Sequence, residues 1–336
     1  MPGSTRLAYL PYPMLNLQRI LVPIDFSESA AQAKEQARLI AEQFGAELHV
    51  LHVTQHPTVS EFVGGDTAES DERKRFVHGS EWMGFPIEKP LSQTTKEGDE
   101  RGANPTIRIL RQAPSVAEGI LTYVTENDID LIIMGTHGRT GLRRWVMGST
   151  AEEIVRRATC PVLTIRNGEV RLPEEEPRRV LVPVDFSEPT RSLIGHAREM
   201  AAVNEAEVDL LHVIEEPSAL RLFKVDGFRA LLPEVARRAR DRLEKTVEDT
   251  PGPDVPLRYN ILTGKPGHEI VRFAEAQSSS GIIMGTHGRS GLRRLAVGGV
   301  AEHVMRSAPC PVFALKAFGD SLVSATREDG EQHRRA

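Results

Sequence analysis

Glycines followed by hydroxyl side chains are the residues of this chain best suited to chemistry, and the chemistry they suit is binding a phosphorylated ligand. Gly135 and Gly138 are followed, after nine residues, by Gly148, Ser149 and Thr150. Glycines without side chains let a backbone approach a phosphate. A helix opening near Ser149 offers unpaired N–H groups and the positive end of its dipole, and the two hydroxyls add donors to phosphate oxygens. The spacing, Gly-x2-Gly-x9-Gly-Ser, is neither of the familiar nucleotide loops. No Gly-x4-Gly-Lys-Ser/Thr occurs, and no Gly-x-Gly-x-x-Gly follows the first strand. Glycines after a strand otherwise read as turn residues. Here Pro23 and Asp25, ending an earlier strand, accompany them and make the set more specific.

The remaining reactive side chains add less. Arg139, with Arg289 in a second occurrence of the same phrase, lies in the nine-residue span, as a phosphate neutraliser or as part of a solvated basic loop. His137 and His287 have no nucleophile beside them, so packing or hydrogen bonding is expected of them rather than general base catalysis. Asp25 and Asp185 are single carboxylates: they could approach a magnesium or manganese ion but do not assign a hydrolase. No catalytic residue and no protein-held metal site is expected. Cys160 and Cys310 each begin a Cys-Pro-Val phrase, with no second cysteine or histidine at ligand spacing, and are expected to be reduced and buried.

These residues occur twice because the chain does. Ile132 to Arg144 reads IIMGTHGRTGLRR and Ile282 to Arg294 reads IIMGTHGRSGLRR, while LVPIDFSE at Leu21 returns as LVPVDFSE at Leu181. Pro183, Asp185, Gly285, Gly288, Gly298 and Gly299 are thus second-copy counterparts. Early landmarks recur at an offset of 160 residues and later ones at 150, so the first copy holds about ten extra residues after Val53. Repeats this long are whole domains rather than solenoid units. We expect domains at 17–166 and 178–318, a linker at 167–177 rich in proline and glutamate, and a polar tail at 319–336. With 336 residues, 40% hydrophobic and 26% charged, and a net charge of −5, the composition is that of an ordinary globular protein. It argues against nucleic acid or an anionic membrane as partner. No run of 18 apolar residues occurs and the start carries no export signal, so a cytoplasmic location is expected.

Strands are expected at Arg19 to Ile24, Glu47 to Val53, Thr106 to Leu110, Asp130 to Met134 and Val162 to Ile165. In the second copy they fall at Val180 to Val184, Glu207 to Val213, Leu257 to Leu262, Ile282 to Met284 and Val312 to Leu315. Helical periodicity links them: Ala30, Ala33, Ala37 and Ile40 behind an N-cap at Ser27, then Val116, Ile120 and Val124, then Ala151 to Ala158. Second-copy helices run roughly from Thr190, Pro233, His268 and Val300. Apolar strands joined by crossover helices demand parallel pairing, so each copy should be a doubly wound, five-stranded α/β sheet. Thr54 to Pro105, broken by glycine and proline, is expected to be a partly disordered surface excursion, with a partner-binding loop as the alternative.

On the DFSE phrase and the Gly-x2-Gly-x9-Gly-Ser spacing, the chain resembles the universal stress protein family, as a tandem member of its ATP-binding branch. The resemblance implies a fold like the adenine nucleotide alpha hydrolases. It implies ATP, AMP or ADP as ligand, with ribose and phosphates at Gly135, Gly138, Gly148 and Ser149. It also implies that Asp25 and Asp185 approach the adenine and that the backbone at Val53 and Val213 meets the base. The second copy departs where Gly299 and Val300 replace Ser149 and Thr150, so weaker binding is expected there. Slow ATP hydrolysis or autophosphorylation, and a nucleotide-free assembly module, are the alternatives. The resemblance also implies pairing of the two copies through their last strands, as an intramolecular pseudo-dimer, and leaves room for a homodimer.

Overall fold

The computed structural model describes residues 17–55, 93–97, 106–136, 147–165, 178–215, 226–286 and 297–315. The first copy comprises β1 (Arg19–Pro23), α1 (Glu28–Phe44), β2 (Glu47–Gln55), β3 (Gln93–Glu97) and β4 (Thr106–Ala113). It continues with α2 (Val116–Glu126), β5 (Leu131–Gly135), α3 (Ser149–Arg157) and β6 (Val162–Ile165). The second comprises β7 (Arg179–Pro183), α4 (Thr190–Val203), β8 (Glu207–Glu215), α5 (Asp226–Glu248), β9 (Leu257–Gly264), α6 (Pro266–Ala276), β10 (Gly281–Gly285), α7 (Gly299–Ser307) and β11 (Val312–Leu315).

Five strands of each copy are parallel, in the order β4-β2-β1-β5-β6 and β9-β8-β7-β10-β11. Ile20, Leu21 and Val22 of β1 are fully buried because helices cover both faces of the sheet. Burying each such side chain contributes about 1.5–3 kcal/mol before entropy is counted. One face carries α1 of the first copy with α4 and α5 of the second, and the other carries α2 and α3 with α6 and α7. Small residues, Ala30, Ala33, Ala37 and Ala41, form the buried stripe of α1. Ser27 caps its start by accepting from the Ala30 N–H, and Gly45 ends it with φ 68°.

β6 and β11 pair antiparallel, Leu163 opposite Phe313, and the Thr164 hydroxyl donates to the Val312 carbonyl at 3.2 Å. All eleven strands therefore lie in one sheet. Since every other strand except β3 is parallel within its own copy, the carboxyl ends of the two sets open at opposite edges.

Some elements differ from those the sequence predicts. β3 is an additional strand, antiparallel to β4, inside the segment expected to be an excursion. Its sequence, Gln-Thr-Thr-Lys-Glu, has no apolar alternation to announce it, and an edge strand does not require one. β2, β4, β8 and β9 each run two or three residues further than expected because their parallel ladders continue to Gln55 with Ala113 and to Glu215 with Gly264. α5 begins at Asp226 rather than at Pro233, which lies inside the helix, where its missing N–H leaves one backbone bond unmade.

α4 differs from α1 in its polar burial. His196 and Glu199 are only 4% and 6% exposed, with His196 Nδ1 and Glu199 Oε2 unpartnered, where α1 has Gln36 and Leu39. Desolvation holds His196 down to about 4 and pushes Glu199 up to about 7.

Candidate functional site

The strand order creates a crevice in each copy before any side chain is considered. β1 lies beside β5, and the chain leaves β1 for α1 on one face but leaves β5 for α3 on the other. Loops that part to opposite faces open a cleft at the carboxyl ends of the strands, where open α/β sheets bind ligands. In the second copy β7 and β10 part in the same way, toward α4 and α7.

Pro23 ends β1 and Asp25 follows it into the cleft. The Asp25 carboxylate closes the turn, its Oδ1 accepting from the Ser27 N–H at 3.0 Å and from the Ser27 hydroxyl. Asp185 holds Ser187 identically, N–H to Oδ1 3.0 Å, after Pro183 ends β7. Across the cleft Gly135 ends β5. A Cβ there would lie 2.6 Å from Ser29 Cβ and Oγ and 3.0 Å from its backbone carbonyl carbon. Glycine is therefore required by the close approach of the first turn of α1 to the strand end.

Thr136 anchors the glycine span at both ends. Its N–H donates to Ile165 O at 2.9 Å, and its carbonyl accepts from the Gly148 N–H at 2.9 Å. Gly148 is the N-cap of α3 and brings no capping side chain, so the first-turn N–H groups, the dipole end and the Ser149 and Thr150 hydroxyls gather at one place. Gly285 ends β10 as Gly135 ends β5. The second copy keeps the backbone: Thr286 bonds Leu315 O and Gly298 at 2.9 Å each, and Gly298 has φ −62° and ψ 141° against −63° and 143° for Gly148. Gly299 and Val300 open α7 with no hydroxyl, and Val300 is 40% exposed.

Val53 stands on β2, with its side chain turned into the core against α2, where a Cβ on Gly119 would come within 2.7 Å of Val53 Cγ1. Val213 sits equivalently on β8, partly buried. Gly138, Arg139, Gly288 and Arg289, with His137 and His287, lie outside the described residues.

Four rings flank the aspartates that composition and spacing did not single out as site residues. Phe26 and Phe186 take φ of 63° and 61°. They pack on His52 and His212 with ring centroids 4.8 and 4.6 Å apart. A bulky residue between Asp and Ser at a strand end, written in both copies, was the available signal.

Cys160 and Cys310 form no disulfide; Cys160 is buried as expected, Cys310 is only half-buried, and desolvation pushes its thiol up to about 12. Among the described residues no group of three or more His, Cys, Asp or Glu gathers to hold a metal, and no helix is long and apolar enough to cross a membrane.

Comparison with known proteins places this geometry. A universal stress protein of Mycobacterium tuberculosis is 28% identical over 190 residues, covering 56% of this chain and 63% of the relative, so the chain spans less than two thirds of that relative's length. A universal stress protein structure from Pseudomonas aeruginosa shares the fold, with a TM-score of 0.56 over 90% of this chain and 94% of that one at 20% identity. A universal stress protein from Archaeoglobus fulgidus, 20% identical over 41% of this chain and 97% of its own with a TM-score of 0.29, has been solved in complex with dAMP. The universal stress protein family pattern matches residues 16–166 and again 176–316. Matched twice and over most of its length, the chain belongs to the universal stress protein family.

Proposed function

We propose that the first-copy crevice binds an adenine nucleotide, ATP foremost, and that the second-copy crevice binds the same ligand more weakly. The observation that carries this reading is the start of α3. An uncapped helix end bearing two hydroxyls follows β5 and a carboxylate-bearing turn follows β1, at the carboxyl ends of adjacent strands whose loops part to opposite faces. Asp25 Oδ2 accepts no hydrogen bond among the described residues, which suits it to the amino group of adenine. The backbone at Val53 would meet the base. Gly135, Gly138, Gly148, Ser149 and Thr150 would hold ribose and phosphates, Arg139 would neutralise charge, and Pro23 would shape the floor. Pro183, Asp185, Val213, Gly285, Gly288, Arg289, Gly298 and Gly299 would do the same in the second copy without the hydroxyls. A magnesium or manganese ion would be held chiefly by the phosphates, with at most one carboxylate from the protein.

The role is binding with regulation, nucleotide occupancy being the signal. The units 17–166 and 178–318 would act as an intramolecular pseudo-dimer, a reading supported by the antiparallel ladder between β6 and β11. Freshly purified protein, denatured and assayed for released small molecules, is expected to yield an adenine nucleotide. Neither released nucleotide nor calorimetric binding of added ATP would overturn the proposal.

A further inference from the structure

Between Asp25 and Ser27 stands a residue that local energetics disfavour. Phe26 has φ 63°, a left-handed conformation that costs a residue with a side chain about 1–2 kcal/mol and that Gly or Asn takes up more easily. The ring is 41% exposed, so burial is a poor reason for having phenylalanine there. The second copy repeats the turn at Phe186, φ 61°, where the ring is partly buried against the core and has the Arg242 guanidinium 4.3 Å from its centroid.

What the rings do is close on histidines that are themselves tied to the strand end. Phe26 and His52 rings meet at 49° with centroids 4.8 Å apart, and Phe186 and His212 at 45° and 4.6 Å. His52 Nδ1 donates to Ile24 O at 2.7 Å, and His212 Nδ1 to Val184 O at 2.7 Å. Ile24 and Val184 also donate their N–H groups to Leu51 O and Leu211 O, each at 2.8 Å. The residue before each aspartate is thus clamped to the neighbouring strand, and the residue after it is clamped to the same strand's histidine.

The copies differ at the helix start but not in the turn. Ser27 caps α1 through its hydroxyl, whereas α4 starts behind Pro189 with no side-chain cap. The start of the helix has changed. The Phe–His pair, the left-handed turn and the closure of serine on aspartate have not. The common factor is the placing of the carboxylate, not the capping of the helix.

We propose that Phe26 with His52, and Phe186 with His212, are positioning pairs that orient the Asp25 and Asp185 carboxylates for discrimination of the nucleotide base. This rests on the adenine-nucleotide reading above. A carboxylate accepts from the amino group of adenine but meets a carbonyl oxygen at the same place on guanine, so orienting it sets a preference for ATP over GTP.

The test uses the full chain carrying Asp185→Ala, to confine titration to the first site, with Phe26→Asn and Phe26→Tyr added separately. Asparagine tolerates the left-handed turn, so the fold is expected to melt at the same temperature or higher, while the ring is lost. Phe26→Asn is expected to weaken ATP binding about tenfold, a single hydrogen bond to a charged group, with GTP binding unchanged, so that the preference collapses. Phe26→Tyr, which keeps the ring, is expected to retain it. An unchanged preference in Phe26→Asn, an equal loss for ATP and GTP, or a fall in melting temperature with the preference intact would each overturn the positioning role. Failure of the parent chain to bind ATP would instead overturn the nucleotide reading, and this inference with it.

Discussion

Where their residues are described, the two crevices share backbone geometry and differ in side chains, and the contrast separates what the fold supplies from what the side chains add. Gly148 and Gly298 share backbone angles within 2°, and Thr136 and Thr286 make the same pair of bonds. The free N–H groups and helix dipole therefore survive in both copies because α3 and α7 could not start otherwise. Ser149 and Thr150 become Gly299 and Val300 without disturbing that frame. Hydroxyls are dispensable to the fold, so they are where two copies of one site can diverge.

The largest expected effect tests whether the frame is as rigid as this implies. Gly135→Ala drives a methyl into Ser29, including its backbone, and should cost about 1–3 kcal/mol of overpacking in a urea titration and empty the first site. Gly299→Ala meets nothing within 4 Å and should change stability by less than about 0.5 kcal/mol. Equal costs at the two positions would break the comparison. Exchanging the hydroxyls comes next. Ser149→Gly with Thr150→Val should weaken ATP binding at the first site about tenfold or more, at about 1.5–3 kcal/mol per bond to a charged oxygen. Gly299→Ser with Val300→Thr should strengthen the second, and calorimetry of the reciprocal variants in the full chain would show whether the asymmetry follows the side chains.

A third contrast lies on α4 and sets a pH dependence that α1 lacks. Between its ordinary value of 4.5 and about 7, native Glu199 holds a proton that the unfolded chain has released, so stability falls as pH rises through that window. His196 acts oppositely: between about 4 and 6.5 the unfolded imidazole binds a proton that the native one excludes, so stability rises with pH. Glu199→Gln should therefore leave stability near pH 5 almost unchanged and raise it by about 1–3 kcal/mol at pH 8. Urea melts showing the same gain at both pH values would refute the desolvated carboxyl. A smaller loss concerns His49, whose Nδ1 is hydrogen bonded to Tyr123 Oη at 2.8 Å, where the second copy has Asp209 and Phe273. Tyr123→Phe should cost about 1 kcal/mol, read as a shift in the thermal midpoint.

Much of this molecule was legible because the signals were local or repeated. LVPIDFSE and LVPVDFSE mark strand, turn and helix start by themselves, and the alternation of apolar runs with amphipathic segments implies parallel strands through crossover connections. β3 was not legible, since an edge strand of threonine and charge satisfies its backbone through a neighbour rather than through its own pattern. Nor was the handedness of Phe26, a residue type whose local preference points the other way.

The sequence by itself determined that there are two α/β units of one family, that each carries a glycine-bearing strand end, and that their continuations differ in hydroxyls. Only the tertiary structure decided what those residues face. Gly135 is glycine because α1 crosses it, the left-handed Phe26 packs its ring on His52 of another strand, and the two crevices open at opposite edges because β6 meets β11 antiparallel. Each of these depends on contacts between residues far apart in the chain, and such contacts leave no periodicity in the sequence from which to read them.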